Sequence, residues 1–140
     1  MPFSHSADYT PACTTELGSV ARLMENFKRR DVKVLAVSVD PVTTHKEWVK
    51  DIDETQRTHV EFPILGDQDR KVSILYDMIH PRQSDTSTDK YAVATPDDWR
   101  SGDDIVISPA LKDKAALKAQ FPKGYKEIRP YLRMTPQPGP

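Results

Sequence analysis

Apolar residues recur every three or four positions between residues 11 and 30, which is the spacing of one face of an α-helix. The pattern therefore predicts an amphipathic helix over this stretch. Thr10 is placed to cap its N-terminus, and Pro11 suits its first position because proline lacks the backbone N–H that would be unpaired there. The apolar positions are Leu17, Val20, Ala21, Met24 and Phe27.

Two shorter apolar runs indicate β-strands. VKVLAVSV, residues 32–39, is rich in β-branched residues and almost continuously apolar, which is typical of a buried parallel strand. EFPIL, residues 61–65, predicts a second, shorter strand. Pro63 indicates that it lies near a strand end or that the strand lies at a sheet edge, because proline cannot donate a ladder hydrogen bond.

Helices are predicted after both strands. TTHKEWVKDI, residues 43–52, begins a helix in which Thr44 and Glu47 fit a capping box. GDQDRKVSILYDMI, residues 66–79, predicts a turn and then a helix with Val72, Leu75 and Ile79 on one face. The resulting α-β-α-β-α order indicates an α/β sheet with crossover helices.

The pattern changes after residue 79. Residues 80–90, HPRQSDTSTDK, are polar and rich in turn formers, so we place a domain boundary near residue 88 and expect domains at 1–88 and 89–140. The second part predicts a strand over 105–107, a short helix within 112–121, and a proline-rich tail with little capacity to form a core. With four strands at most, the α/β sheet is expected to be incomplete.

Composition narrows the classes of function. The 140 residues include 20 Lys plus Arg and 21 Asp plus Glu, and the net charge of −1 argues against a general nucleic-acid or anionic-membrane binder. No apolar run approaches the ~20 residues of a membrane span. The N-terminal residues lack the basic and apolar regions of a secretory signal, so a reducing compartment, the cytoplasm by default, is expected.

Cys13 is the only cysteine, so an internal disulfide is excluded. It is predicted to lie in the first turn of the first helix, where unpaired N–H groups and the helix dipole favour a thiolate. The Thr10 hydroxyl, one turn earlier, could reach the sulfur or a bound oxygen. Peroxide would convert Cys13 to a sulfenic acid, and an external thiol would have to reduce it. The alternative, an inert semi-buried cysteine, stays open on composition alone.

The stretch FSHSADYTPACTTELG, residues 3–18, resembles the peroxidatic motif of the one-cysteine peroxiredoxins, the peroxiredoxin six-like subfamily of the AhpC/TSA superfamily. The resemblance continues in order through RRDVKVLAVSVD, HKEWVKDI, FPILGDQDRKVSILYDM, VATPDDW, FPKG and YLRMTPQP. It implies an incomplete thioredoxin-like α/β fold followed by a small C-terminal peroxiredoxin domain. Some members of the wider family are mitochondrial, so the mitochondrion is the alternative compartment.

The implied activity is reduction of hydrogen peroxide and alkyl hydroperoxides without a cofactor, using a thiol such as glutathione or thioredoxin. The resemblance further implies a homodimer, or a dimer with a full-length relative. Carried over by position, Cys13 is the peroxidatic cysteine, Thr10 orients the peroxide and Pro11 shields the site. Glu16 matches the carboxylate that holds the family's catalytic arginine, and His5 matches a histidine near the substrate.

Three features depart from the family pattern. Ser6 replaces the proline that follows the histidine, which predicts looser shielding of the thiolate. The family's N-terminal strands have no counterpart, and neither do the lipase-type residues of the bifunctional mammalian member. The join at residues 80–96 skips the segment that supplies central strands and the catalytic arginine. The arginines present match other positions: Arg22, Arg29, Arg30, Arg57, Arg70, Arg82, Arg100, Arg129 and Arg133.

These departures favour a rival reading, a catalytically impaired, dimer-forming interaction protein. Losing a preorganised cation or donor costs about 10²–10³ in rate, and losing central strands exposes edges that can pair with another chain. The intact Thr10-Pro11-x-Cys13 string favours the enzyme.

The other candidate residues predict structural roles. The histidines, which are His5, His45, His59 and His80, are scattered and lack the spacing of metal ligands. The aspartates of the turn and helix near residue 70, which are Asp67, Asp69 and Asp77, lack a calcium-loop pattern, so solvated capping is expected. Trp48 is predicted to lie in a helix core face, and Trp99 to pack in the C-terminal part.

Overall fold

A computed structural model describes residues 1–76, 93–94, 96, 100 and 102–137. The chain divides into two units. The described residues of the first are 1–8 and 13–76, and those of the second are 9–12 together with the described residues from 93 onward. The predicted boundary near residue 88 and the predictions for Ile79, Asp77, His80 and Trp99 lie outside the described residues.

A three-stranded parallel sheet organises the first unit. Strand β2 (Leu35–Ser38) lies between β1 (Pro2–Ser4) and β3 (Ile64–Gly66). Ser4 pairs with Val37, and Val37 pairs with Leu65. The predicted buried parallel strand is confirmed, and β3 begins directly after Pro63 at an edge of this sheet.

The first helical stretch is two helices, so the prediction of one helix over 11–30 is wrong. Helix α1 (Pro11–Arg22) is separated from α2 (Met24–Arg29) by Leu23, whose φ of −90° and ψ of 0° leave the helical region. The Leu23 N–H is shared between two carbonyls, at 3.1 and 3.0 Å, a pattern common where a helix ends. Leu17 and Ala21 are buried as predicted, whereas α2 buries no residue.

Helix α3 (Val42–Gln56) presents three buried residues at helical spacing, His45, Trp48 and Ile52. The capping box is wrong, because the helix begins earlier: Pro41 is its N-cap and Thr44 lies inside the first turn. The prediction that Trp48 is core is confirmed, with none of its surface exposed. Helices α1 and α3 pack closely at Gly18, where an added Cβ would lie 2.6 Å from Gln56 Cγ.

Helix α4 (Lys71–Leu75) follows β3 and is held by a buried aspartate. Asp67 Oδ1 accepts a hydrogen bond from Val72 N at 2.9 Å, and Oδ2 accepts from Ser73 N at 2.7 Å and Ser73 Oγ at 2.6 Å. Asp67 therefore caps the helix as expected, but it is buried rather than solvated. Leu75, one of the residues predicted to share an apolar face of this helix, is 78 % exposed.

The described residues of the second unit include a four-stranded antiparallel sheet and the helix Lys114–Gln120. Ile107 on the sheet packs with Leu117 and Phe121, and Asp113 caps the helix by accepting from Ala115 N and Ala116 N. The predicted strand at 105–107 and helix within 112–121 are confirmed. The elements are β4 (Val93–Ala94), β5 (Ile105–Ile107), α5 (Lys114–Gln120), β6 (Lys126–Glu127) and β7 (Arg133–Thr135), with strand order β4-β5-β7-β6.

The prediction that the C-terminal tail has little capacity to form a core is wrong. The tail supplies β7, an interior strand of the second sheet with Arg133 and Thr135 buried, so it does form core. The described residues contain seven short strands, and three of these form the parallel α/β sheet, within the predicted limit of four. The apolar pattern missed β1, β4, β6 and β7 because these strands are only two or three residues long.

Candidate active site

Cys13 is the third residue of α1 and lies in its first turn, as predicted. Its side chain is a free thiol, and the residue is 7 % exposed. The backbone N–H groups of a first turn have no partner within the helix, and they carry the positive end of the helix dipole. The Cys13 sulfur therefore belongs to the turn that carries the positive end of this dipole.

The hydroxyl of Ser6 contacts the sulfur. Ser6 Oγ lies 3.5 Å from Cys13 Sγ, within the range of a hydrogen bond to sulfur. Ser6 follows β1 and is exposed, whereas Cys13 is buried. At the position for which looser shielding is predicted, a hydroxyl therefore lies beside the Cys13 sulfur.

A buried carboxylate joins two histidines beside this loop. Asp8 Oδ1 lies 3.0 Å from His5 Nε2, and Asp8 Oδ2 lies 2.7 Å from His45 Nδ1. All three side chains are at most 3 % exposed. The carboxylate thus accepts a hydrogen bond from each ring, and this fixes which nitrogen of each imidazole faces it.

The carboxyl end of β2 holds the same loop. His5 N donates to Val37 O at 3.1 Å, and Asp8 N donates to Asp40 Oδ2 at 2.8 Å. Ser38 Oγ also donates to Asp40 Oδ2, at 3.3 Å. Residues 5–8 are therefore fixed at both ends by β2 and the turn that follows it.

Helix α3 positions the turn that carries the cysteine. Trp48 Nε1 donates to Thr14 Oγ1 at 3.1 Å, and both residues have no exposed surface. The Trp48 ring lies 5.0 Å from the His5 ring. The residue next to Cys13 and the histidine before Ser6 are thus held by one buried indole.

Comparison with known proteins identifies the family. The model of the AhpC/TSA family matches residues 2–102, more than half of the chain. The chain belongs to the AhpC/TSA family. A 1-Cys peroxiredoxin of Dictyostelium discoideum is 43 % identical, covering 96 % of this chain and 72 % of its own length. Human Peroxiredoxin-6 is 33 % identical, covering 97 % and 84 % respectively.

Solved peroxiredoxin structures share the fold. A yeast mitochondrial 1-Cys peroxiredoxin superposes with a TM-score of 0.55 at 31 % identity, covering 97 % of this chain and 85 % of that one. A peroxiredoxin 6 of Arenicola marina superposes with a TM-score of 0.56 at 28 % identity, covering 98 % and 84 %. The chain therefore has the thioredoxin-like fold of the peroxiredoxins and is a peroxidase-type oxidoreductase.

The relatives also contain residues that this chain lacks. The alignment with the Dictyostelium peroxiredoxin spans 175 residues and that with the human one spans 189, whereas this chain has 140. Each alignment therefore includes positions of the relative that have no counterpart here. The predicted gap relative to the peroxiredoxin family is consistent with these lengths.

The other residues matched to the peroxiredoxin motif lie around the start of α1. Thr10 directly precedes the helix and is half-buried, and Pro11 is its first residue and is buried. Glu16 lies one turn further along and is exposed. Their roles toward peroxide, and that of His5, stay predictions.

Sequence reasoning missed Asp8 and His45. The histidines were expected to be scattered, which is wrong for His5 and His45, since Asp8 joins them. The three-residue spacing of His5 and Asp8, with His45 on the apolar face of α3, was a signal that could have found the group. His59 instead pairs with Asp53 at 3.0 Å and is exposed.

The described residues contain neither a metal-binding cluster nor a membrane-spanning helix. In that part of the chain, no three His, Cys, Asp or Glu side chains gather in a way that could hold a metal ion. Among the same residues, no helix has both the length and the apolar character needed to cross a membrane.

Proposed function

We propose that the chain is a thiol-dependent peroxidase in which Cys13 is the peroxidatic cysteine. The observation that carries the proposal is the position of its buried thiol in the first turn of α1. A thiolate, not a thiol, is the nucleophile in such chemistry. The helix terminus supplies the positive potential that supports it.

The first step is an attack of the Cys13 thiolate on one peroxide oxygen. A sulfur–oxygen bond forms and the oxygen–oxygen bond breaks, so the sulfur loses two electrons and the peroxide gains them. The leaving oxygen takes a proton and departs as water from hydrogen peroxide, or as an alcohol from an alkyl hydroperoxide. Cys13 is left as a sulfenic acid.

The second step uses an external thiol, because the chain has one cysteine. That thiol attacks the sulfenic sulfur, forms a mixed disulfide and releases water. A second thiol then displaces Cys13 and leaves as a disulfide. Glutathione or thioredoxin fits this role, and the structure of the yeast relative is described in terms of glutathione/thioredoxin systems.

In the proposed site, three residues assist Cys13. Thr10 and His5 contact the peroxide, with the Thr10 hydroxyl orienting it, and Pro11 shields the thiolate. Glu16 occupies the position of the carboxylate that holds the catalytic arginine in the family. The cytoplasm is the proposed compartment; a mitochondrial location is the alternative, since one relative 35 % identical to the chain is a mitochondrial peroxiredoxin of Saccharomyces cerevisiae.

Replacing the cysteine tests the assignment. In Cys13→Ser, peroxide-dependent oxidation of glutathione or of reduced thioredoxin is expected to fall to the uncatalysed rate, because no thiolate remains. Intact-mass analysis should show one added oxygen on the wild type and none on the variant. Activity that survives in Cys13→Ser would contradict the role of Cys13.

A second candidate is an impaired, dimer-forming interaction protein. It is supported by the positions of the relatives that have no counterpart in this chain, together with the exposed edges expected of a shortened sheet. Size-exclusion chromatography with multi-angle scattering, alone and with a full-length relative, distinguishes the two. An ordered homodimer or mixed dimer whose Cys13 does not react with peroxide selects this candidate.

A further inference from the structure

We infer that Ser6 is a catalytic residue, whose hydroxyl donates a hydrogen bond to the sulfur of Cys13 in the reactive thiolate state; the inference rests on the proposed function. The observation that carries it is the 3.5 Å separation of Ser6 Oγ and Cys13 Sγ. Serine has one O–H donor that rotates to meet a partner. The residue therefore acts on the reacting atom itself.

Ionisation of Cys13 fixes the direction of this hydrogen bond. In the thiol state either group can donate, because both carry a hydrogen. The thiolate has no hydrogen and can only accept, so Ser6 becomes the donor. Hydrogen bonds to charged groups are stronger than those between neutral groups, so the contact favours the thiolate over the thiol. The proton stays on Ser6 Oγ throughout.

The loop that carries Ser6 is held in place on both sides. His5 and Asp8 flank it, each with a buried side chain, and their backbone N–H groups bond to Val37 O and Asp40 Oδ2. The entropy cost of orienting the hydroxyl is thus largely met before peroxide arrives. The chain has fewer residues than its alignment with the Dictyostelium relative spans, so it lacks positions that the relative has. Ser6 is a hydrogen-bond donor at the sulfur that this chain does contain.

The test compares three variants in two assays. Ser6→Ala removes the hydroxyl, Ser6→Thr keeps it, and Ser4→Ala is the matched control because Ser4 is an exposed serine two residues earlier. The first assay is the second-order rate of Cys13 oxidation by hydrogen peroxide. The second is the pH dependence of Cys13 alkylation by iodoacetamide, which reports thiolate without any peroxidase activity. Circular dichroism verifies that each variant is folded.

Ser6→Ala is expected to lower the oxidation rate by about threefold to tenfold, the worth of one hydrogen bond. Its alkylation profile should move to higher pH, while Ser6→Thr and Ser4→Ala stay near the wild type. Ser6→Ala matching the wild type in both assays would overturn the inference, as would Ser6→Thr as slow as Ser6→Ala. If the wild-type oxidation rate equals that of the denatured thiol while Ser6→Ala still shifts the alkylation profile, the proposed peroxidase function is overturned and the inference about Ser6 is not.

Discussion

Asp8 accepts hydrogen bonds from two buried histidines, one on each carboxylate oxygen. The outer nitrogens of these rings, His5 Nδ1 and His45 Nε2, are buried and have no hydrogen-bond partner among the described residues. Because both rings donate to Asp8, those outer nitrogens carry no hydrogen and can only accept. Burying an acceptor without a partner costs less free energy than burying an N–H without one. The carboxylate thereby sets the tautomers of the residues around the Ser6 loop.

Asp8→Asn is expected to lower the free energy of unfolding of the first unit by about 1–3 kcal/mol. An amide has one acceptor oxygen and two N–H donors, so it cannot accept from both rings. One imidazole must either lose its partner or change tautomer and bury an N–H. Urea-induced unfolding followed by Trp48 fluorescence in a Trp99→Phe background measures this change.

The control for Asp8→Asn is Asp31→Asn. Asp31 is exposed and has a φ of 53°, a left-handed conformation that asparagine also tolerates. Its effect should stay within about 0.5 kcal/mol. Equal urea midpoints for Asp8→Asn and wild type would show that Asp8 is not an essential acceptor.

At the scale of elements, Asp67 links the end of β3 to α4. Burial disfavours the charged carboxylate, but hydrogen bonds from the Ser73 hydroxyl and from the backbone N–H groups of Ser73, Val72 and Lys71 outweigh it. The pKa of Asp67 therefore lies below its ordinary value of 3.8. A helix of five residues with Leu75 and Ile74 exposed depends on such a cap, because it buries little apolar surface.

The lowered pKa of Asp67 predicts a specific pH dependence. The carboxylate stabilises the fold fully above its unfolded pKa of 3.8, and this stabilisation is lost as pH falls through the lower folded pKa. Asp67→Asn should therefore lower the urea midpoint at neutral pH. The gap between variant and wild type should narrow as the pH falls below 3.8.

The matched control for that prediction is Asp69→Asn in the same turn. Asp69 pairs with Lys71 at 2.6 Å, but their side chains are 58 % and 83 % exposed, so solvent screens the pair. Its removal should have a much smaller effect. A gap for Asp67→Asn that widens toward acid pH would contradict the account of the cap.

The same elements show what the sequence could predict. Strand β2 and the buried face of α3 follow from local apolar patterns, since each is long enough to show its period. The break at Leu23 and the strands β4, β6 and β7 of the second unit involve too few residues to show a period. The resemblance of the motif around Cys13 led to the family, which local patterns could not name.

At the scale of the whole molecule, the site was only partly predictable. Cys13 in the first turn of α1 could be predicted from Thr10 and Pro11 before it. The Asp8–His45 contact joins residues 37 positions apart, and the Trp48–Thr14 contact joins residues 34 positions apart, so only the fold brings them together. Ser6 and Cys13 are seven positions apart, and the turn between β1 and α1 brings the hydroxyl to 3.5 Å from the sulfur.

The most direct test of the central claim is the second-order rate of Cys13 oxidation by hydrogen peroxide at neutral pH, for the folded chain and for the chain denatured in urea. The helix terminus, Ser6 and the buried framework predict a folded rate that is orders of magnitude above the denatured rate. Equal rates would contradict the account, because the arrangement around Cys13 would then give the thiol no reactivity beyond that of an unfolded cysteine.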